Sequence, residues 1–271
     1  MTQQIRQLPL GGVLDDAIAL TKGHFGSLFQ IVAVTVLPTL LITSFYQFAV
    51  MPPLTFPFEP EQFQAWMEAQ QKHGNVINLL TIISGVASII ANAAIVHGVS
   101  SAYLGQPVTT KAALSHALQD FLPLIGTSIL GGIMIFGGML LCFVPGIIFA
   151  LWFCFSTPIV VIERITGPEA LKRSKALMKG NVGSMFVFGL VVGVIQVGVA
   201  VAPHIVPQPH AAIVLSAMVQ CALSIFGTAA IVVFYFSARC QHEQFDLQLL
   251  VEQVEAQIVL KAADEDEQAI G

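Results

Sequence analysis

One apolar run constrains this chain more than any other stretch. Ile147 to Ile165 spans 19 residues, and its only charges, Glu163 and Arg164, stand near its end. A hydrocarbon core of about 30 Å needs roughly 20 helical residues of this kind. Val144-Pro145-Gly146 reads as a turn that opens the run. Pro158 lies inside it, where Ser156 or Thr157 can satisfy a freed carbonyl. After the charged pair, Thr166-Gly167-Pro168-Glu169 fits a capping box with Thr166 as N-cap. In the short helix that follows, Ala170, Leu171, Ser174, Leu177 and Met178 fall on one face. Lys172, Lys175 and Lys179 fall on the opposite face, Arg173 stands beside the apolar stripe, and Gly180-Asn181 ends the helix. A helix of this pattern is expected in the headgroup plane, apolar face in lipid and lysines toward anionic phosphates.

The same parts recur along the chain. Charged residues make up only 10% of it and the mean hydropathy is +0.80, where a soluble domain carries about 25% charge. The pattern predicts an all-α integral membrane protein. Its membrane domain covers residues 1–242, with six transmembrane helices at about 25–50, 76–104, 121–143, 147–165, 182–201 and 211–238. They form three helical hairpins, each preceded by a short cytoplasmic interfacial helix: Gly12–Lys22, Thr109–Leu118 and the basic helix above. Glu61–Lys72 reads as a further surface helix, and residues 243–271 as an amphipathic and then acidic cytoplasmic tail. No cleavable signal peptide is expected, because Asp15, Asp16 and Lys22 interrupt the first region.

At residues 144–186 the chain resembles a known family. PGIIFALWFCFSTPIVVIE, followed by Ala170, Leu171, Arg173 and Ser174, is similar to the YciC-like family of bacterial inner-membrane proteins. It is also similar to the membrane domain attached to some glycerophosphodiester phosphodiesterases. The resemblance implies a multi-span helical protein of the bacterial inner membrane and no established activity.

Charge sets the expected orientation. With the N-terminus inside, ten Lys and Arg fall on inner segments and only Lys72 on an outer one, which predicts cytoplasmic N- and C-termini. The net charge of −5 is uneven: residues 243–271 carry −7 and the remainder +2. That acidic tail argues against nucleic acid as a partner. The expected partners are membrane lipids, held by Lys172, Arg173, Lys175, Lys179 and Lys22. A second copy of the chain or another inner-membrane protein is the candidate protein partner.

A segment also repeats. Ala19–Phe29 and Ala176–Phe186 share seven of eleven residues, and Ala117-Leu118 before Phe121 is a weaker third copy. Aligning the copies sets Asp16 opposite Arg173, an expected charge pair between surface helices. Gly189-x-x-x-Gly193 reads as close packing within the monomer, and Pro145 and Gly146 as the turn. Asn92, Gln196 and Gln220 are candidates for interhelical hydrogen bonds. His73, His204 and His210 fall on the outer side in predicted loops without fixed ligand spacing, so no metal site is expected. No nucleophile elbow, zinc-protease motif or phosphate loop occurs, and no enzyme or cofactor is expected. Two functions remain: a non-enzymatic protein of membrane or envelope lipid homeostasis, or a transporter or channel for a small amphiphile or lipid.

Overall fold

Apolar periodicity becomes helix over most of residues 8–52, 59–205 and 209–244, the residues described in this computed structural model. The chain runs α1 (Leu10–Gly23), α2 (Phe25–Thr35), α3 (Leu37–Val50), α4 (Pro60–Tyr103), α5 (Thr110–Gln119) and α6 (Phe121–Leu141). It continues as α7 (Phe143–Trp152), a single turn α8 (Ser156–Pro158) that widens into a π turn at Ile159–Glu163, α9 (Gly167–Met178), α10 (Val182–Ile205) and α11 (Pro209–Glu243). Among the described residues there is no strand. The tail beyond Gln244 lies outside them.

Among the described residues five segments are long and apolar enough to cross a membrane: Pro60–Tyr103, Phe121–Leu141, Phe143–Glu163, Val182–Val199 and His210–Glu243. A sixth arises if α1 and α2, bent by 79° at their joint, count as one. This is the makeup of an all-α, multi-pass membrane protein.

Four expectations need correction. The run 25–50 is not one unbroken helix: it divides at Val36, just ahead of Pro38, into α2 and α3. Proline has no N–H to continue the ladder, so a break there follows from its chemistry. The surface helix at 61–72 is not separate either. It is the first third of α4, whose 44 residues reach about 66 Å. Third, the turn before the fourth apolar run falls at Cys142, which is extended (φ −169°, ψ 148°), while Pro145 and Gly146 lie inside α7. Proline in a first helical turn leaves no bond unmade. Gly146 instead lets α6 and α7 close on each other: a Cβ there would stand 2.9 Å from the Met139 nitrogen.

The fourth correction concerns the basic helix. The five residues expected on the apolar face of α9, Ala170, Leu171, Ser174, Leu177 and Met178, are all buried, but in protein rather than lipid. The face packs on α6, α7, the π turn and α11. Around it lies a core built from α2, the second half of α4 and the last turns of α11, with Tyr235, Phe155, Phe236 and Leu28 fully buried. Asn92 on α4 accepts from Thr228 on α11 at 2.7 Å, a polar tie of the kind expected of Asn92. Gly189 and Gly193 are not in that packing. Both are exposed, and a Cβ on either would meet nothing within 4 Å.

Candidate functional site

Charge collects where the fourth apolar run, α9 and the end of α11 meet. Tyr235, Arg239 and Glu243 follow at four-residue spacing, so they stand above one another on one face of α11. Opposite them, the π turn delivers Glu163, and Arg164, in the left-handed region at φ 57°, redirects the chain toward α9. Arg173, just off the apolar stripe of α9, completes the group.

The contacts close on themselves. Arg173 holds Glu163 with two bonds, Nε to Oε2 at 2.9 Å and Nη2 to Oε1 at 3.2 Å. The same Nη2 also meets Glu243 Oε1. Arg239 Nε lies 3.0 Å from Glu243 Oε2 and 3.8 Å from Glu163 Oε1. Tyr235 donates its hydroxyl to Glu163 Oε1 at 2.6 Å. Every oxygen of both carboxylates thus has a partner, and the four charges cancel. The Glu163 side chain is only 12% exposed. At that depth an unpaired charge is costly, whereas a matched set is tolerated and directional. Burial acts to lower the pKa of Arg173, but Glu163 and Glu243 outweigh it and hold it above the ordinary value. The arrangement is a neutral clamp joining three segments.

Ser174, beside Arg173, secures the break between α7 and α8. Its buried hydroxyl donates to the Trp152 carbonyl at 2.6 Å and accepts from the Phe155 N–H at 3.2 Å.

The residues expected to meet lipid headgroups divide. Lys172, Lys175, Lys179 and Lys22 are exposed, the first three along one side of α9. Lys175 places its ammonium 3.9 Å above the Trp152 ring, a cation–π contact. Arg173 does not join them, because the clamp has taken it inward. The expected Asp16–Arg173 pair is also replaced: among the described residues, the carboxylates on Arg173 are Glu163 and Glu243. A planar guanidinium favours the bidentate partner on a neighbouring segment. The capping box is not formed as read. Thr166 sits at the N-cap position without a side-chain bond, and the Gly167 N–H donates to Thr127 on α6 at 2.8 Å.

His73 and His210 have aromatic neighbours at the end of α3. His73 lies 3.2 Å from the Tyr46 hydroxyl, and His210 packs on Phe45 and Phe48. The His204 side chain lies outside the described residues. Among the described residues no three His, Cys, Asp or Glu side chains are placed to hold a metal ion. His97 stacks on His116 of α5 with centroids 4.4 Å apart.

Sequence reasoning missed Tyr235, Arg239 and Glu243 in the clamp. A signal was present: three polar residues at four-residue spacing on the last turns of an apolar helix, with Arg173 displaced from the lysine face.

Residues 117–262 match the family described as domain of unknown function (DUF8558). The match covers just over half of the chain, and the chain belongs to this family. All five clamp residues fall inside it. No curated protein and no solved structure matches the sequence.

Proposed function

We propose that this member of the DUF8558 family is a non-enzymatic protein of the bacterial inner membrane that holds anionic lipid headgroups on the outer side of α9. Its role is in membrane or envelope lipid homeostasis. In this reading the chain crosses six times as three hairpins, with α2 and α3 together forming the first span and both termini in the cytoplasm. The Lys and Arg bias supports that orientation, and the resemblance to the YciC-like family supports the compartment.

The observation that carries the reading is the division of charge on α9. One basic residue, Arg173, is neutralised inside the protein, while Lys172, Lys175 and Lys179 stand exposed, Lys175 over the Trp152 ring. Lysines so placed attract phosphate, at about 1 kcal/mol each near an anionic surface before screening. Lipid contact is favoured over transport because two polar pairs between helices are spent on one another rather than lining a path. Asn92 bonds Thr228, and Thr43 bonds Ser84.

The test is replacement of Lys172, Lys175 and Lys179 together by Gln. Native mass spectrometry of the purified chain should show retained phosphatidylglycerol fall well below the parent level, with the melting temperature unchanged. Equal retention would remove the headgroup role.

A further inference from the structure

The lysine row on α9 has a second candidate occupant within the same chain. Three contacts tie the end of α11 to α9 and to the joint after it. Glu243 meets Arg173, His242 Nε2 donates to the Lys179 carbonyl at 3.0 Å, and Asn181 donates to Gln241 Oε1 at 2.8 Å. Gln244 then adopts φ 53°, a left-handed conformation that ends α11 and turns the chain at this point. The segment that follows therefore leaves from beside α9.

That segment carries the complementary charge. Asp264, Glu265, Asp266 and Glu267 are consecutive, and Lys172, Lys175 and Lys179 have no carboxylate partner among the described residues. About 20 residues separate Gln244 from Asp264, and a chain of that length reaches at most ~65 Å. The 12 residues of α9 cover only about 18 Å. Tethering at this range supplies an effective concentration on the order of millimolar. A weak contact between four carboxylates and three ammonium groups is then well populated without high intrinsic affinity.

We infer that the acidic segment Asp264–Glu267 docks on the α9 lysine row and competes there with anionic lipid. Its docking is a statement about this chain alone, and its competition rests on the headgroup role proposed above. An anionic bilayer displaces the segment, and a zwitterionic one leaves it in place. The site is thereby tuned to the anionic content of the leaflet it faces.

The experiment uses the full chain in nanodiscs of phosphatidylcholine alone or with phosphatidylglycerol. A carbodiimide joins carboxylates to lysines that touch them, and peptide mass spectrometry locates the bonds. Residues 264–267 should link to Lys172, Lys175 or Lys179 in phosphatidylcholine, and the links should fade as phosphatidylglycerol is added. A variant with Asp264→Asn, Glu265→Gln, Asp266→Asn and Glu267→Gln should bind phosphatidylglycerol roughly three- to tenfold more tightly, the effect of removing a modest ion-pair competitor. Absence of links to α9 in phosphatidylcholine overturns the inference. So does an unchanged affinity in the neutral-tail variant of a chain that binds phosphatidylglycerol through its lysines. If the links form in both lipids and the triple Lys→Gln variant still binds phosphatidylglycerol as the parent does, the docking stands and the headgroup reading fails.

Discussion

The joint between α1 and α2 and the joint between α9 and α10 share seven of eleven residues, yet they sit in different surroundings. The first joint is the single residue His24, whereas the second runs from Lys179 to Asn181 and ends at the aligned position. In both, the carbonyl of the aligned residue accepts from the N–H four residues on, at 3.1 Å. Asp120, between α5 and α6, does the same at 3.0 Å. Beyond the break the two diverge. Leu28, Ile31 and Val32 of α2 are buried among α3, α4, α5 and α11. The corresponding helix α10 leans mainly on α11, and only 6% of its apolar window is buried. Gly189, which aligns with Val32, faces open space. Similar joint sequences therefore restart a helix at the same aligned position, and the number of helices nearby decides whether that helix becomes core.

The comparison breaks most readily at its buried end. Leu28→Ala should destabilise the chain in detergent by about 2–5 kcal/mol, through lost contacts and an unfilled cavity. Leu190→Ala, on exposed α10, should stay within roughly 0.5 kcal/mol. Thermal unfolding followed by circular dichroism measures both, and equal losses would mean that α10 is covered in the working protein. The next test concerns how the short helices are held. The clamp pins α9, whereas Leu8, just ahead of α1, donates its N–H to Ser237 at 2.9 Å. Glu163→Gln strands Arg173 and Arg239 on one remaining carboxylate and should cost about 2–4 kcal/mol. Ser237→Ala removes a single buried bond and should cost about 1 kcal/mol. If Glu163→Gln costs no more than Ser237→Ala, the clamp is not what seats α9.

The smallest effect is the most discriminating, since it changes the same aligned residue twice. Gly180 has φ 88°, while Gly23 is helical. Gly180→Ala forces a Cβ into the left-handed region and should lower stability by about 1 kcal/mol. Gly23→Ala meets nothing within 4 Å and should be neutral or raise stability by up to about 1 kcal/mol. Two shifts of the same sign in thermal midpoint would mean that the joints are conformationally alike.

Much of this was legible in the residues. The face of α9 was readable because helical period alone places Ala170, Leu171, Ser174, Leu177 and Met178 together. What that face touches was not, because an apolar stripe is equally satisfied by lipid and by neighbouring helices. The partner of Arg173 was misread for a related reason. Aligning the copies offered Asp16, but an ion pair is chosen by distance and geometry, and Glu163 and Glu243 lie nearer.

By itself the sequence determined that the chain is helical, apolar and punctuated at His24, Asp120 and Asn181, because backbone bonding in a helix is local and breaks wherever local residues stop it. Only the tertiary structure decided which of those helices became core, that Gly146 is a close contact rather than a turn, and that four distant charges form one neutral clamp. The core and the joining of Glu163 and Arg173 to Arg239 and Glu243 depend on segments far apart in the chain, and the Gly146 contact depends on how α7 folds back on α6, which local backbone bonding does not fix.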